Sequence, residues 1–238
     1  MITEDFSTRG KLQDVGRWYI TRFVQSLARS LSAGTRILDA GAGEGVYKKY
    51  FTHCDYKTID LAVGEARWNY NALDYVGPLH EMPIEDGAYD AVLCTQVLEH
   101  LEWPRESVRE MHRVLKPGGK LYLSVPMSHT EHQIPHDYFR YTSFGLRSIC
   151  QHAGFNEVTV APMGGIFVRW AYELPRALGF FPSVRSAQGG LNPKGVVLLP
   201  LRWASLGLIR LMQCFFLWAD RIDAAKNDPF GWTCVAAK

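Results

Sequence analysis

The sequence lacks several features that would settle a protein's class at once. Its five cysteines (Cys54, Cys94, Cys150, Cys214 and Cys234) are scattered, odd in number and form no C-x-x-C pair. A disulfide framework is therefore not expected, and reduced thiols in a cytoplasmic chain are. There is no excess of one charge: 26 Lys and Arg stand against 24 Asp and Glu, a net charge of +2 that argues against a nucleic-acid partner and against an acidic tail. The opening residues MITEDFSTRG contain no apolar run, so no signal peptide is expected. No internal repeat or low-complexity tract is present. The most apolar stretch, Val196 to Trp218, is interrupted by Arg202 and Arg210, both costly at a bilayer centre, so no transmembrane segment is expected. What remains is 238 residues at 47% apolar content, enough for one domain with a full core and roughly 60 residues of elaboration.

The chain is organised around Arg36 to Gly45, RILDAGAGEG. Ile37 and Leu38 end a short apolar run that reads as a buried strand, and Asp39 closes it. Gly41, Gly43 and Gly45 then alternate with Ala42 and Glu44, a spacing that permits positive φ and close approach of backbone to a ligand. A helix is expected from Val46, with its free N–H groups facing the crevice at the strand's carboxyl end. The third glycine of the dinucleotide fingerprint is missing, since Val46 stands in its place, and this counts against an NAD-dependent reductase.

Around this loop the pattern alternates strand and helix, which argues for a parallel sheet. Leu12 to Leu31 carries apolar residues at helical spacing and should cover one edge of the sheet. Strands are expected at Tyr56–Leu61, Leu73–Val76, Tyr89–Cys94, Lys120–Val125, Glu157–Ala161 and Gly231–Ala236, with a helix at Ser143–Ala153. Asp60 closes the second strand, at the adjacent strand tip where a carboxylate accepts hydrogen bonds from ribose hydroxyls. Lys116-Pro117-Gly118-Gly119 reads as a helix stop and tight turn.

The glycine spacing with an acid two residues ahead, Asp60, the run MPIEDGAYDAVLCTQVLEHL (Met82 to Leu101) and VLKPGGKLYLSVP (Val114 to Pro126) together resemble the class I S-adenosylmethionine-dependent methyltransferases from about Arg36 to about Phe155. The resemblance implies an α/β Rossmann-like fold: a seven-stranded, mostly parallel sheet with helices on both faces, an antiparallel last strand, and a helical insertion between strands six and seven. One methyltransferase domain is expected, with residues 1–33 as an N-terminal cover, 34–161 and 230–238 as core, and 162–229 as insertion. It also implies S-adenosyl-L-methionine as cofactor, bound by Asp39, Gly41, Ala42, Gly43, Gly45, Asp60, Leu61, Leu79 and Gln96. One departure is visible. Where family members carry an acid that addresses the adenine, this chain has Pro78-Leu79, leaving the Leu79 amide or, less well placed, Asp74.

Some methyltransferases bind a divalent ion through an E-x-x-E-H run. Here Gln96 holds the first position, so Glu99-His100 is not expected to bind a metal. After strand five comes SHTEHQIPHDYFRYTSFGL, Ser128 to Leu146, with Pro135 opposing a continuous helix. In this fold that loop faces the transferred methyl group. His136 and then His132 are the expected bases, with Tyr138 shaping the pocket, because imidazole titrates near neutral pH.

The implied activity is methyl transfer by in-line displacement to a small-molecule acceptor, hydrophobic or glycan-like. The alternative is a silent methyltransferase-fold scaffold, for which the Pro78 departure is the best support. The insertion reads as amphipathic, with Arg202, Ser205, Arg210 and Gln213 on one face expected to stay in water or meet an anionic group. A helical cap over the acceptor pocket that also forms a homodimer is preferred there, ahead of a peripheral membrane contact.

Overall fold

A computed structural model describes residues 11–12, 14–64, 68–185 and 190–238. The N-terminal stretch MITEDFSTRG lies outside the described residues. By its internal contacts the chain divides into two compact units, one of Tyr19–Met163 with Gly231–Lys238, the other of Gly164–Phe230 with the residues up to Trp18.

The first unit is a seven-stranded sheet: β1 (Arg36–Ala40), β2 (Asp55–Asp60), β3 (Tyr75–Val76), β4 (Tyr89–Thr95), β5 (Leu115–Pro126), β6 (Glu157–Pro162) and β7 (Gly231–Ala237). Their order is β3-β2-β1-β4-β5-β7-β6. The first five run parallel, and β7 is antiparallel to both β5 and β6, as the resemblance implied.

Both faces of the central strands are apolar, and alternate residues serve opposite faces. Leu38, Val92, Cys94, Leu121 and Leu123 join one core with Val108, Met111 and Val114 of α2 (Pro104–Val114) and Leu146 and Cys150 of α3 (Ser143–His152). Helix α2 buries positions three and four apart, and α3 is capped by the Thr142 hydroxyl, which accepts from the Gly145 amide at 3.1 Å.

Ile37, Ala91 and Leu93 face the other way. There they pack with Phe51, Tyr56 and the Val24, Leu27 and Ala28 stripe of α1 (Val15–Ser30). Helix α1 thus covers a face of the sheet rather than its edge, because its apolar stripe needs the buried middle strands to match it.

No α-helix follows the glycine loop. The chain makes turns and a single 3-10 turn at Lys48–Tyr50 before β2 begins at Asp55. Val46 and Tyr47 are weak helix formers, and Gly45 just ahead of them sits at φ +67°. The expected helix N-terminus is therefore not part of the site.

The second unit contains α4 (Ile166–Glu173), a 3-10 stretch Leu174–Phe180, α5 (Pro193–Val197) and α6 (Leu199–Ala219). The apolar helix expected from Val196 divides at Leu198, where Pro200 enters the first turn of α6 and brings no N–H. Asp220 and Asp223 cap α4: the Gly165 amide donates to Asp220 Oδ1 and the Ile166 amide to Asp223 Oδ2, both at 2.9 Å. The Lys226 ammonium lies 2.6 Å from Asp220 Oδ2 and balances its charge.

The polar stripe of α6 corrects an expectation. Gln213 is buried, donating to the Ala171 carbonyl at 2.8 Å, and Arg210 donates to Gln213 Oε1 at 2.9 Å and to the Leu12 carbonyl. Arg210 and Gln213 thus turn inward, where backbone carbonyls of α4 and the N-terminal segment need donors, whereas Arg202, earlier on the same stripe, is exposed as expected.

Candidate active site

The glycine loop leaves β1 with Gly41, Gly43 and Gly45 all at positive φ (+82°, +54° and +67°). The Gly41 and Ala42 amides donate to the Ile59 carbonyl, which ties the loop to the end of β2. At Gly41 the need for glycine is also steric: a Cβ there would stand 2.4 Å from a Val97 methyl. Ala42 is buried against this turn, whereas Leu61 is half exposed beyond the tip of β2.

Asp60 is where the sequence placed it. Its carboxylate accepts the Gly43 amide on Oδ2 and the Ala62 amide on Oδ1, each at 2.8 Å. Two oxygens offer about four acceptor sites, so ribose hydroxyls can join without displacing both amides. Gln96 sits across the crevice at φ +54°, held there by its amide to the Ser124 carbonyl (2.8 Å) and its Nε2 to Ser124 Oγ (3.2 Å). A non-glycine residue in that conformation costs of the order of 1–3 kcal/mol and is typical of functional loops.

Asp39 is buried, and its carboxylate accepts the Tyr56 hydroxyl within the core on the α1 face. Burial pushes its pKa up to about 7, against the lowering effect of that hydrogen bond. Asp74 is tied to β2, accepting from the Thr58 amide and hydroxyl at 3.0 Å and from Lys57 at 2.9 Å. The Leu79 side chain is buried in the sheet core, which fixes the position of its backbone.

The loop leaving β4 makes a 3-10 turn at Leu98–His100, and the loop leaving β5 is pinned upon it. The Tyr138 and Phe139 amides donate to the Glu99 carbonyl, at 2.9 and 3.2 Å, and the Tyr141 hydroxyl donates to the Leu98 carbonyl at 2.9 Å. Arg140 grips Asp137 through two nitrogens at 2.7 and 2.8 Å and holds that carboxyl far below the usual carboxylate range. Asp137 also accepts the His132 amide at 2.9 Å. The segment HDYFRY is thereby closed on the turn, without a helix.

This closure assembles three side chains. His100 Nδ1 lies 2.6 Å from the His136 carbonyl oxygen, and a carbonyl only accepts, so Nδ1 carries the proton and Nε2 holds a lone pair. That Nε2 is buried without a partner, 3.9 Å from Glu99 Oε1. Burial lowers the His100 pKa. Glu99 is wholly buried, neither carboxylate oxygen has a partner, and burial pushes its pKa up to about 8. The His132 ring stands 4.6 Å from that of His100, centroid to centroid.

Glu99, His100 and His132 offer one ligand atom each within 4.8 Å of one another, a donor set that fits a divalent ion. The run from Gln96 to His100 does not make such a set by itself. His132 reaches the same place from a different loop.

The sequence-nominated catalytic residues are divided by the fold. His132 joins the cluster. The His136 ring is exposed, with Nδ1 3.3 Å from the Tyr138 hydroxyl, and His136 reaches the cluster through its carbonyl. The sequence reading treats Glu99 and His100 only as a metal pair. Their signal in the sequence was an acid–histidine pair at a strand end, facing a histidine-rich loop.

A family model described as a methyltransferase domain matches residues 38–123, which span the glycine loop, Asp60, the β4 loop and most of β5. Over 109 residues the chain is 38% identical to a ubiquinone biosynthesis O-methyltransferase of Xanthomonas oryzae pv. oryzae, a match covering 41% of this chain and 46% of that one. Over 100 residues it is 37% identical to a probable S-adenosylmethionine-dependent methyltransferase of Mycolicibacterium smegmatis, covering 40% and 39%. The match thus spans less than half the length of these curated relatives. Among solved structures, a SAM-dependent methyltransferase from Archaeoglobus fulgidus superposes with a TM-score of 0.58 at 14% identity, covering 98% of this chain and all of that one. The Haemonchus contortus phosphoethanolamine N-methyltransferase 2 in complex with S-adenosyl-L-methionine superposes at 0.53 with 18% identity, covering 91% and 52%. At such identities the superpositions speak for the fold alone. With the sheet order and the glycine loop against Asp60, the matching domain model makes residues 38–123 similar to a methyltransferase domain, on a fold shared with S-adenosylmethionine-dependent methyltransferases.

Proposed function

We propose that this protein transfers the methyl group of S-adenosylmethionine to a hydroxyl oxygen of a small, hydrophobic acceptor, of the kind that the name of the Xanthomonas relative places in ubiquinone biosynthesis. The observation that carries the reading is the free lone pair of His100 Nε2, buried beside Glu99 and His132 in the loop that also touches Gly41. The sulfonium is already an activated electrophile, so the protein's work is alignment, which can supply roughly 7–11 kcal/mol. A hydroxyl must also lose its proton, and a positioned base accelerates that by about 10²–10⁴-fold. In this reading His100 or His132 takes the proton. Gly41, Gly43 and Asp60 hold the cofactor, and Gln96 and the Leu79 amide line its bed.

A second reading is favoured by Glu99, whose two buried oxygens have no partner. A divalent ion on Glu99, His100 and His132 would acidify the acceptor hydroxyl by coordination.

The test combines calorimetry with transfer of a labelled methyl group to pooled quinone-precursor, phenolic and glycan acceptors. Wild type should bind S-adenosylmethionine, and Asp60→Ala should lose most of that affinity. His132→Ala and His100→Ala should each cut turnover by about 10²-fold with cofactor affinity unchanged. A loss of turnover in His136→Ala alone would move the base to that ring. Loss of activity to a chelator, restored by an added divalent ion, would select the second reading. A chain that binds no S-adenosylmethionine would be a scaffold.

A further inference from the structure

Helix α6 is built the wrong way round for a helix that rests in water. Its polar residues Gln213 and Arg210 face inward and are consumed by backbone carbonyls and by each other. Its outward side is apolar: Leu201, Trp203, Leu208, Leu211, Phe215 and Trp218 are each more than half exposed. At 100° per residue the exposed positions from Trp203 to Trp218 fill about half the circumference, and none of them is charged. An apolar face of this extent on a soluble unit needs a cover.

Charge says which cover. From Leu174 to Ala219 the sequence has five basic residues (Arg176, Arg185, Lys194, Arg202 and Arg210) and no Asp or Glu. Arg202 and Arg221 are exposed at the two ends of the helix, and Arg185 and Lys194 are exposed ahead of it. The acids just past the helix, Asp220 and Asp223, are taken up by the α4 amides and Lys226. If two copies paired through this face, Arg221 at its edge would meet its own copy in one direction and the basic end carrying Lys194 and Arg202 in the other. Against an anionic surface every one of these charges is attractive. Trp203 and Trp218 stand near the two ends of the apolar face, with Leu208, Leu211 and Phe215 between them, the arrangement of a helix lying in a membrane interface. No helix among the described residues is long and apolar enough to cross a membrane.

We propose that α6 docks the protein on an anionic phospholipid bilayer, lying in the plane of the surface with the Leu208–Leu211–Phe215 face in the acyl boundary and Arg202 and Arg221 among the phosphates. The proposal is independent of the methyl acceptor.

The test is flotation of the full chain with vesicles of phosphatidylcholine alone and of phosphatidylcholine with phosphatidylglycerol, at low and high salt, beside its mass in solution without lipid. Wild type should float with the anionic vesicles only, and less as salt rises. Leu211→Glu with Phe215→Glu should weaken binding by about tenfold or more. Arg202→Gln with Arg221→Gln should weaken it less and flatten the salt dependence. S-Adenosylmethionine binding and far-ultraviolet dichroism check that the variants are folded, since all four side chains are on the surface. Brominated lipids should quench tryptophan fluorescence in wild type and not in the Glu variant. Failure of wild type to float, or equal flotation of the Glu variant, overturns the proposal. A dimer that Leu211→Glu dissolves, with no flotation, also overturns it and assigns the face to a second copy.

Discussion

Asp39 carries a structural load that its spacing alone does not show. Its position two residues before Gly41 marks the loop, but its carboxylate is buried and holds the Tyr56 hydroxyl in the core. Its folded pKa of about 7 lies above the ordinary value of 3.8. The folded state therefore keeps a proton that the unfolded chain releases, and stability from this group falls as pH rises from about 4 through 7. Asn at this position can still accept from Tyr56 but does not titrate. Thermal midpoints measured from pH 4 to 8 should drop less in Asp39→Asn than in wild type. Equal slopes would mean that Asp39 is ionised in the fold. His100 makes the complementary case: in sequence it is one histidine of eight, and only the His136 carbonyl on its Nδ1 decides which ring nitrogen is free.

At the scale of elements, the glycine loop and the loop after β4 act as one unit, joined where Gly41 meets Val97. Gly41→Ala must both adopt φ +82° and push its methyl into Val97, whereas Gly43→Ala meets nothing closer than the Trp68 ring at 3.9 Å. Gly43→Ala should thus cost roughly 1 kcal/mol of backbone strain. Gly41→Ala should cost more and also lower cofactor affinity, because Val97 leads directly to Glu99 and His100. Val97→Ala should recover part of the Gly41→Ala loss in both stability and affinity, as residues in contact couple by about 0.5–3 kcal/mol. Strict additivity in that double-mutant cycle would show that the two loops are independent. The sequence announced the glycines, but Val97 is an ordinary apolar residue until the strands bring it beside them.

For the whole molecule, the main fact of topology is that β7, the last strand of the chain, lies between β5 and β6. Its Cys234 and Ala236 are fully buried in the core, and Lys238 donates to the His112 and Leu115 carbonyls at 2.7 and 2.6 Å where α2 ends. The sheet unit is therefore not complete until the chain's final residues arrive, after the whole second unit. A chain ending at Phe230 should lose cooperative thermal unfolding and cofactor binding together, since β5 and β6 would each keep an unpaired buried edge. A truncated protein that still melts cooperatively and binds S-adenosylmethionine would show that β7 is dispensable.

Much of this was legible in one dimension because it depends on local chemistry. Alternating apolar runs specify strands, Gly41, Gly43 and Gly45 specify a loop at positive φ, and Asp60 at the tip of β2 specifies a partner for that loop. The sequence by itself determined the order of the strands along the chain and the resemblance that points to S-adenosylmethionine. What it did not carry is anything that depends on two distant segments meeting. The face covered by α1 was decided by which strands are central. The cluster of Glu99, His100 and His132 was decided by the closure of one loop on another through Asp137 and Arg140. The reversal of α6 was decided the same way. Helical spacing separates its polar stripe from its apolar one, but only the carbonyls of its neighbours determine that Arg210 and Gln213 on that stripe turn inward.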